Sequence, residues 1–277
     1  MSSSITAASS LTNVSGTIAL AGAGKMGGAM LTGWLAGGLD ADRVVVVEPF
    51  PSDDIKALAA KGVRLNPKDA GTADTLVVAV KPQMFREAGP ALKQLVGPNT
   101  LVVSIMAGTP IAVLEQVCGG MVIRAMPNTP AAIGRGITVA VAAKNVSAAQ
   151  RATADALLCA TGSVEWVDDE SLMDAVTAVS GSGPAYVFLL AEELARAGVE
   201  AGLPADLATK LARETVAGSG ELLHRSEQDS ATLRQNVTSP GGTTAAALEV
   251  LMGQDGMQPL MIRAIAAATK RSKDLAK

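Results

Sequence analysis

Between about residues 17 and 142, short apolar runs rich in Val and Ile alternate with stretches of helical composition. The runs cover residues 17–21, 44–47, 76–80, 101–104 and 122–125. They are apolar at successive positions rather than at every second one, as strands covered on both faces must be. Between them, residues 26–36, 55–60, 85–96 and 110–117 predict helices, several with Gly or Pro near an end. A further strand at 137–141, a helix at 148–158 and a last strand at 162–167 complete the pattern. Strands alternating with helices in this way predict an α/β domain, a doubly wound parallel sheet.

From Asp168 onward the pattern is helical, with no convincing strand. The expected organisation is therefore a disordered leader at 1–15, a sheet domain at 16–168 and an all-helical domain at 169–277. Within the helical part, Pro184 stands at a first helical position and is followed by AYVFLLAEELARAG, apolar around its whole circumference for two turns. Such a helix needs cover on every side, and a domain of about a hundred residues has little interior to offer. The expectation is a homodimer in which the helical domain packs on its copy.

Composition narrows the function. Apolar residues make up 48% of the chain and charged residues 18%, with a net charge of −3, so the chain is too apolar for disorder and has no basic face for nucleic acid. Neither Cys118 nor Cys159 belongs to a pair with metal-ligand or redox spacing, so no metal site is expected and a reducing, cytoplasmic setting fits. No apolar run has the length of a membrane span. The first fifteen residues are small and polar; they lack the apolar centre of a secretory signal and the Arg of a transit peptide.

The first predicted strand runs into Gly22-Ala23-Gly24-Lys25-Met26-Gly27 and then a helix, the setting in which G-x-G-x-x-G signifies a dinucleotide site. Gly22 permits the tight turn, Gly24 lets the backbone approach a pyrophosphate, and Gly27 allows close helix packing over an anion held at the helix N-terminus. Glu48 ends the second strand, twenty-one residues past Gly27, where an acidic side chain bonds the adenosine ribose hydroxyls. That leans toward NADH. Two alternatives stay open: a plain strand-end carboxylate, or a PFPS loop that turns Glu48 away and lets Ser52 or Lys56 meet the phosphate of NADPH. Two more junctions at strand carboxyl ends are expected to line the cofactor, Ala79-Val80-Lys81-Pro82-Gln83 and Ser104-Ile105-Met106-Ala107-Gly108. A third, Arg124-Ala125-Met126-Pro127-Asn128-Thr129-Pro130, would bring Asn128 near the nicotinamide.

In the helical half, Ser239-Pro240-Gly241-Gly242-Thr243-Thr244 precedes AAALEVLM, a good helix former. Two glycines expose consecutive N–H groups, the Thr hydroxyls are cap-type donors and acceptors, and the dipole favours a carboxylate, so a second anion cradle is one reading and an ordinary helix start the other. Ser180-Gly181-Ser182-Gly183-Pro184-Ala185-Tyr186 is read as a turn opening the apolar helix.

Taken together and in order, GAGKMG, AVKPQ, RAMPNTP, VSGSGPAY and VTSPGGTT resemble the pyrroline-5-carboxylate reductase family, RAMPNTP and SPGGTT most specifically. One departure is Met106, where many members carry alanine. The resemblance implies a Rossmann domain followed by a helical dimerisation domain, often assembled into rings, and reduction of pyrroline-5-carboxylate to proline by NADPH or NADH. It also implies that the backbone of Ser239 to Thr244, with Gly241, Gly242 and Thr243 between, holds the substrate carboxylate and that the Thr244 hydroxyl faces the ring nitrogen as the catalytic contact. Chemistry agrees, since reduction of a protonated cyclic imine needs less acid catalysis than reduction of a ketone. The only histidine, His224, lies away from every motif. Two rival readings are a β-hydroxyacid dehydrogenase, which would need a lysine that residues 185–191 lack, and a non-catalytic dinucleotide sensor.

Overall fold

The computed structural model describes residues 11–275. Eight strands form one sheet: β1 (Ile18–Ala21), β2 (Val44–Val47), β3 (Arg64–Leu65), β4 (Ala73–Val78), β5 (Val96–Ser104), β6 (Met121–Met126), β7 (Gly136–Ala142) and β8 (Gly162–Trp166), in the order β3-β2-β1-β4-β5-β6-β7-β8. Strands β1 to β6 are mutually parallel, and Ala21 lies between Val47 on one side and Val78 on the other. The expected all-parallel sheet needs one correction, because β7 pairs antiparallel with β6 and β8 follows β7 in parallel. The β6–β7 link is a short 3₁₀ turn at Thr129–Ile133, too little chain for the crossover that a parallel pair demands.

The sheet is covered on both faces, as its continuous apolar runs require. Along β1, Ile18 and Leu20 enter one core while Ala19 and Ala21 enter the other. The first core takes Met30, Leu31 and Trp34 from α1 (Lys25–Ala36) and Ala154, Leu157 and Leu158 from α5 (Ala148–Cys159). Trp34 is fully buried and its indole N–H donates to the Leu157 carbonyl at 2.8 Å, which fixes α1 against α5. The second core takes Phe85 and Leu92 from α3 (Pro82–Lys93) and Leu114 and Cys118 from α4 (Ile111–Val117) and its end, and buried Met106 belongs to it. Each large aliphatic side chain so buried contributes about 1.5–3 kcal/mol. A short helix, α2 (Asp53–Ala59), is capped by Ser52 and connects β2 to β3.

The expected leader is corrected where it can be followed. Residues 1–10 lie outside the described residues, but Leu11 and Val14 are in the first core, and the Leu11 N–H donates to the Gly37 carbonyl at 2.8 Å. An apolar pair in a polar stretch is poor evidence for burial until the surface that receives it is known.

The chain divides into two compact units, with Ser182–Ala268 forming one and the sheet, continuing to Gly181 and joined by the segment from Thr269, forming the other. The segment after Asp168 is tied to the sheet unit by polar contacts. Glu170 Oε1 accepts from Arg124 Nη1 at 2.9 Å and from the first N–H of α4, Ile111, at 2.8 Å. Buried Ser272 donates to Asp174 at 2.7 Å. Here α6 (Met173–Val176) runs into a π-helical turn, Thr177–Gly181, so the expected simple turn is a continuation of helix.

The other unit contains α7 (Gly183–Glu200), α8 (Ala205–Arg225), α9 (Ser230–Asn236), α10 (Thr243–Leu251) and the first part of α11 (Met257–Leu275). Helices α7 and α8 pack as a hairpin in which Gly198 faces Ala208. Among residues 182–268, Ala208 and Ala212 alone are buried. Val187, Phe188, Leu189 and Leu190, four successive apolar residues of α7, are exposed in the single chain, Phe188 at 68%.

Candidate active site

The sheet order reverses at β1, which lies between β2 and β4, so the loops leaving β1 and β4 diverge and open a crevice at the strand carboxyl ends. Gly22 makes the first turn with φ +90°, and its N–H donates to the Val47 carbonyl at 2.9 Å. A Cβ there would lie 2.7 Å from the Ala79 carbonyl oxygen, so both the backbone angle and the space require glycine. Gly24 is the N-cap of α1, with no side-chain cap and open space on its Cβ side, while Gly27 packs directly against the Gly22 carbonyl. The first N–H groups of α1 thus face the crevice unmasked by a side chain.

A cavity of about 1270 Å³ occupies this crevice. Of the residues expected at a cofactor, it brings together Gly22, Gly24, Lys25, Glu48, Val80 and Lys81. Met26, Gly27, Pro82, Ala107, Gly108 and Asn128 do not line it. Gly108 is covered by Leu275 and Ser272 at the end of α11. Asn128 is held by its own side chain: Nδ2 donates to Ser180 Oγ at 3.3 Å and Oδ1 accepts from Ile137 N at 3.0 Å. That ties the β6 end to the π-helical turn.

Glu48 is not turned away from the crevice. Its Oε2 accepts from the Ala23 N–H at 2.8 Å and its Oε1 from the Phe50 N–H at 3.0 Å. Asn66, in the left-handed region at φ +46°, accepts from Glu48 N at 2.9 Å and donates to Glu48 O at 2.8 Å. Ser52, considered as a phosphate donor, caps α2 by accepting from Ile55 N, and Lys56 pairs with Asp53 at 2.8 Å and does not line the cavity. Phe50 was not anticipated as a lining residue. Its signal was an aromatic between two prolines at a strand end, in a chain with only three Phe, two Trp and one Tyr.

The arrangement fits a dinucleotide: an uncapped helix start for the pyrophosphate, an acid at the end of β2, and one cavity lined by both. Gly22→Ala is expected to weaken binding of NAD about tenfold or more, from backbone strain of the order of 1–3 kcal/mol in addition to the contact with Ala79. Titration calorimetry checks this, and unchanged affinity would refute the role given to Gly22.

In the helical unit, the Gly242 N–H donates to the Ser239 carbonyl at 3.0 Å and Gly241 has φ +70°. With Pro240 before it, this is a Pro-Gly turn of type II character. The turn delivers Gly242 as N-cap of α10 with no side-chain cap, so the backbone N–H groups of Thr243 and Thr244 start the helix at an exposed, glycine-lined end. His224 is exposed near the end of α8. Both thiols are poorly ionised: burial pushes Cys118 up to about 11, and burial with the neighbouring Asp155 carboxylate does the same for Cys159. Neither is a ready nucleophile. Among the described residues no group of His, Cys, Asp and Glu could hold a metal ion.

Comparison with known proteins matches residues 170–275 to the model for pyrroline-5-carboxylate reductase dimerisation and residues 17–108 to that for NADP oxidoreductase, coenzyme F420-dependent. The pyrroline-5-carboxylate reductase of Pseudomonas aeruginosa is 40% identical over 264 residues, covering 94% of this chain and 96% of that protein. The Synechocystis protein of the same name is 42% identical, over 85% of this chain and 89% of its own length. Among solved structures, the pyrroline-5-carboxylate reductase of Coxiella burnetii superimposes with a TM-score of 0.86 at 35% identity, covering 95% and 99% of the two chains. The Plasmodium falciparum enzyme, solved with NADP bound, gives 0.77 at 30% identity over 94% and 98%. Identity of this size, sustained along nearly the whole of each chain, means that this chain belongs to the pyrroline-5-carboxylate reductase family.

Proposed function

We propose that this protein reduces pyrroline-5-carboxylate to proline, with NADPH or NADH as hydride donor. The observation that carries the reading is the presence of two glycine-lined, uncapped helix starts in one chain, at Gly24 and at Gly242. The first suits a pyrophosphate and the second a small carboxylate. When bound, the reduced nicotinamide supplies a hydride to the imine carbon of a substrate already protonated at its ring nitrogen. The C=N π pair then moves onto the ring nitrogen and neutralises its charge, so no separate acid is needed to complete the amine. In this reading the backbone from Ser239 to Thr244 holds the substrate carboxylate, and the Thr244 hydroxyl hydrogen-bonds the ring nitrogen as its charge changes. Gly22, Gly24 and Lys25 receive the pyrophosphate, while Gly27, with Met26 in the same turn, lets the helix pack closely beneath it. Val80, Lys81, Pro82, Ala107 and Gly108 are assigned to the cofactor, with Lys81 a donor to its ribose or phosphate, and Asn128 is assigned to the nicotinamide.

Two further features support the reading over alcohol oxidation. The single histidine is exposed, and α7 contains no lysine to act as an acid or base. The exposed apolar side chains of α7 support a homodimer, and we extend the proposal to dimers assembled into a ring and to a cytoplasmic location. Among the described residues no helix is long and apolar enough to cross a membrane.

The deciding experiment follows loss of the reduced-nicotinamide absorbance on adding synthetic pyrroline-5-carboxylate. Turnover with this substrate, and none with hydroxyisobutyrate and NAD, is the expected result. Tight dinucleotide binding without turnover would favour a sensor instead.

A further inference from the structure

The β2–α2 turn carries more carboxylate than a dinucleotide site needs. Glu48 follows β2, and Asp53 and Asp54 open α2, with the Asp54 side of that turn on the cavity wall. The Glu48 carboxylate cannot swing aside easily. Backbone donors from Ala23 and Phe50 hold its two oxygens, and Asn66 clamps its peptide from the other side. Each oxygen keeps a lone pair, so the group can still accept from ribose hydroxyls, which a phosphate dianion cannot offer. No arginine lines the cavity among the described residues. Lys56 is engaged by Asp53, and Lys61, which also lines the cavity, does so past the far end of α2, about 10 Å of helix rise from Asp54.

The same carboxylate holds the backbone of an aromatic residue. By holding the Phe50 N–H, it places that residue on the cavity wall, 87% exposed and stiffened by Pro49 and Pro51 on either side. An exposed ring on a cavity lip, next to the ribose-binding acid, is where an adenine face would be covered.

We propose that the Glu48–Asp54 turn selects the cofactor: Phe50 stacks on the adenine, Glu48 accepts from the ribose hydroxyls of NADH, and Glu48 and Asp54, both on the cavity wall, repel the 2′-phosphate of NADPH. This rests on the dinucleotide part of the reading above, and the selecting site is made by three residues, Glu48, Phe50 and Asp54. Glu48 has a second role as the link between the pyrophosphate loop and the adenine lip.

The test is titration calorimetry of the full-length protein with NAD and NADP, without any pyrroline substrate. NAD is expected to bind about tenfold or more tightly than NADP. Glu48→Gln combined with Asp54→Asn should bring the two affinities together chiefly by strengthening NADP. Phe50→Ala should weaken both about tenfold, because the stack does not sense the phosphate. Equal affinities in the wild type, or tighter binding of NADP, would overturn the proposal without any variant having to fold. Failure of the reductase reading appears differently, as normal NAD binding with no turnover of pyrroline-5-carboxylate.

Discussion

Thr244→Ala is expected to lower kcat/KM for pyrroline-5-carboxylate roughly 100-fold, mostly through kcat, while His224→Ala changes it less than about twofold. Thr244 is the second residue of α10, and the cap of that helix is Gly242, which uses no side chain. Its hydroxyl is therefore not committed to capping, and it sits where backbone N–H groups would already hold the carboxylate. Removing it should leave ground-state binding largely in place and cost the contact to a nitrogen whose charge changes in the reaction. Alanine is a better helix former than threonine, so lost stability would not account for the defect. Thr244→Ser, which keeps the hydroxyl, should restore most of the rate. Steady-state kinetics of the three variants decide the matter. A silent Thr244→Ala with an inactive His224→Ala would reverse the assignment.

Phe188→Asp is expected to give monomers at micromolar concentration and to lower Tm by about 10 °C or more. The physical reason is the shortage of interior in the helical unit: of residues 182–268, only two alanines are buried, while Phe188 and its neighbours on α7 face outward. A single copy of this unit cannot offset the conformational entropy of its own folding with so little buried area. Each large side chain covered by a second copy would contribute about 1.5–3 kcal/mol, and an unpaired carboxylate in the same place would cost several. Light scattering and thermal melting read the result directly. Wild-type mass and Tm in the variant would remove Phe188 from any interface.

The β1–α1 junction was legible because its signals are local. Val-rich strands, a glycine that must take φ +90° and a helix start without a capping side chain are all properties of a few adjacent residues. The Pro240-Gly241 turn and the uncapped start of α10 were legible for the same reason. Leu11 was not, since two apolar residues in a Ser-rich stretch gain meaning only from the core that receives them. Nor was the direction of β7, because an apolar strand has the same residue pattern whichever way it runs. The segment after Asp168 looks like the start of the helical part, yet the Glu170–Arg124 pair and the Asp174–Ser272 bond hold it to the sheet unit across wide gaps in sequence.

Glu48 marks the dividing line most clearly. Its place at the end of β2 follows from the run Val44 to Val47 and its distance from Gly27, both read along the chain. Where its carboxylate points does not, because that depends on the N–H of Ala23, twenty-five residues earlier, and on Asn66, eighteen later. The sequence by itself determined which segments are strands, which are helices and where backbone N–H groups lie free, since these depend on periodicity, backbone angles and caps within a turn or two. Only the tertiary structure decided strand direction, the limits of the two units and the partners of each polar side chain. Those are set by contacts whose energy exists only after distant segments have met.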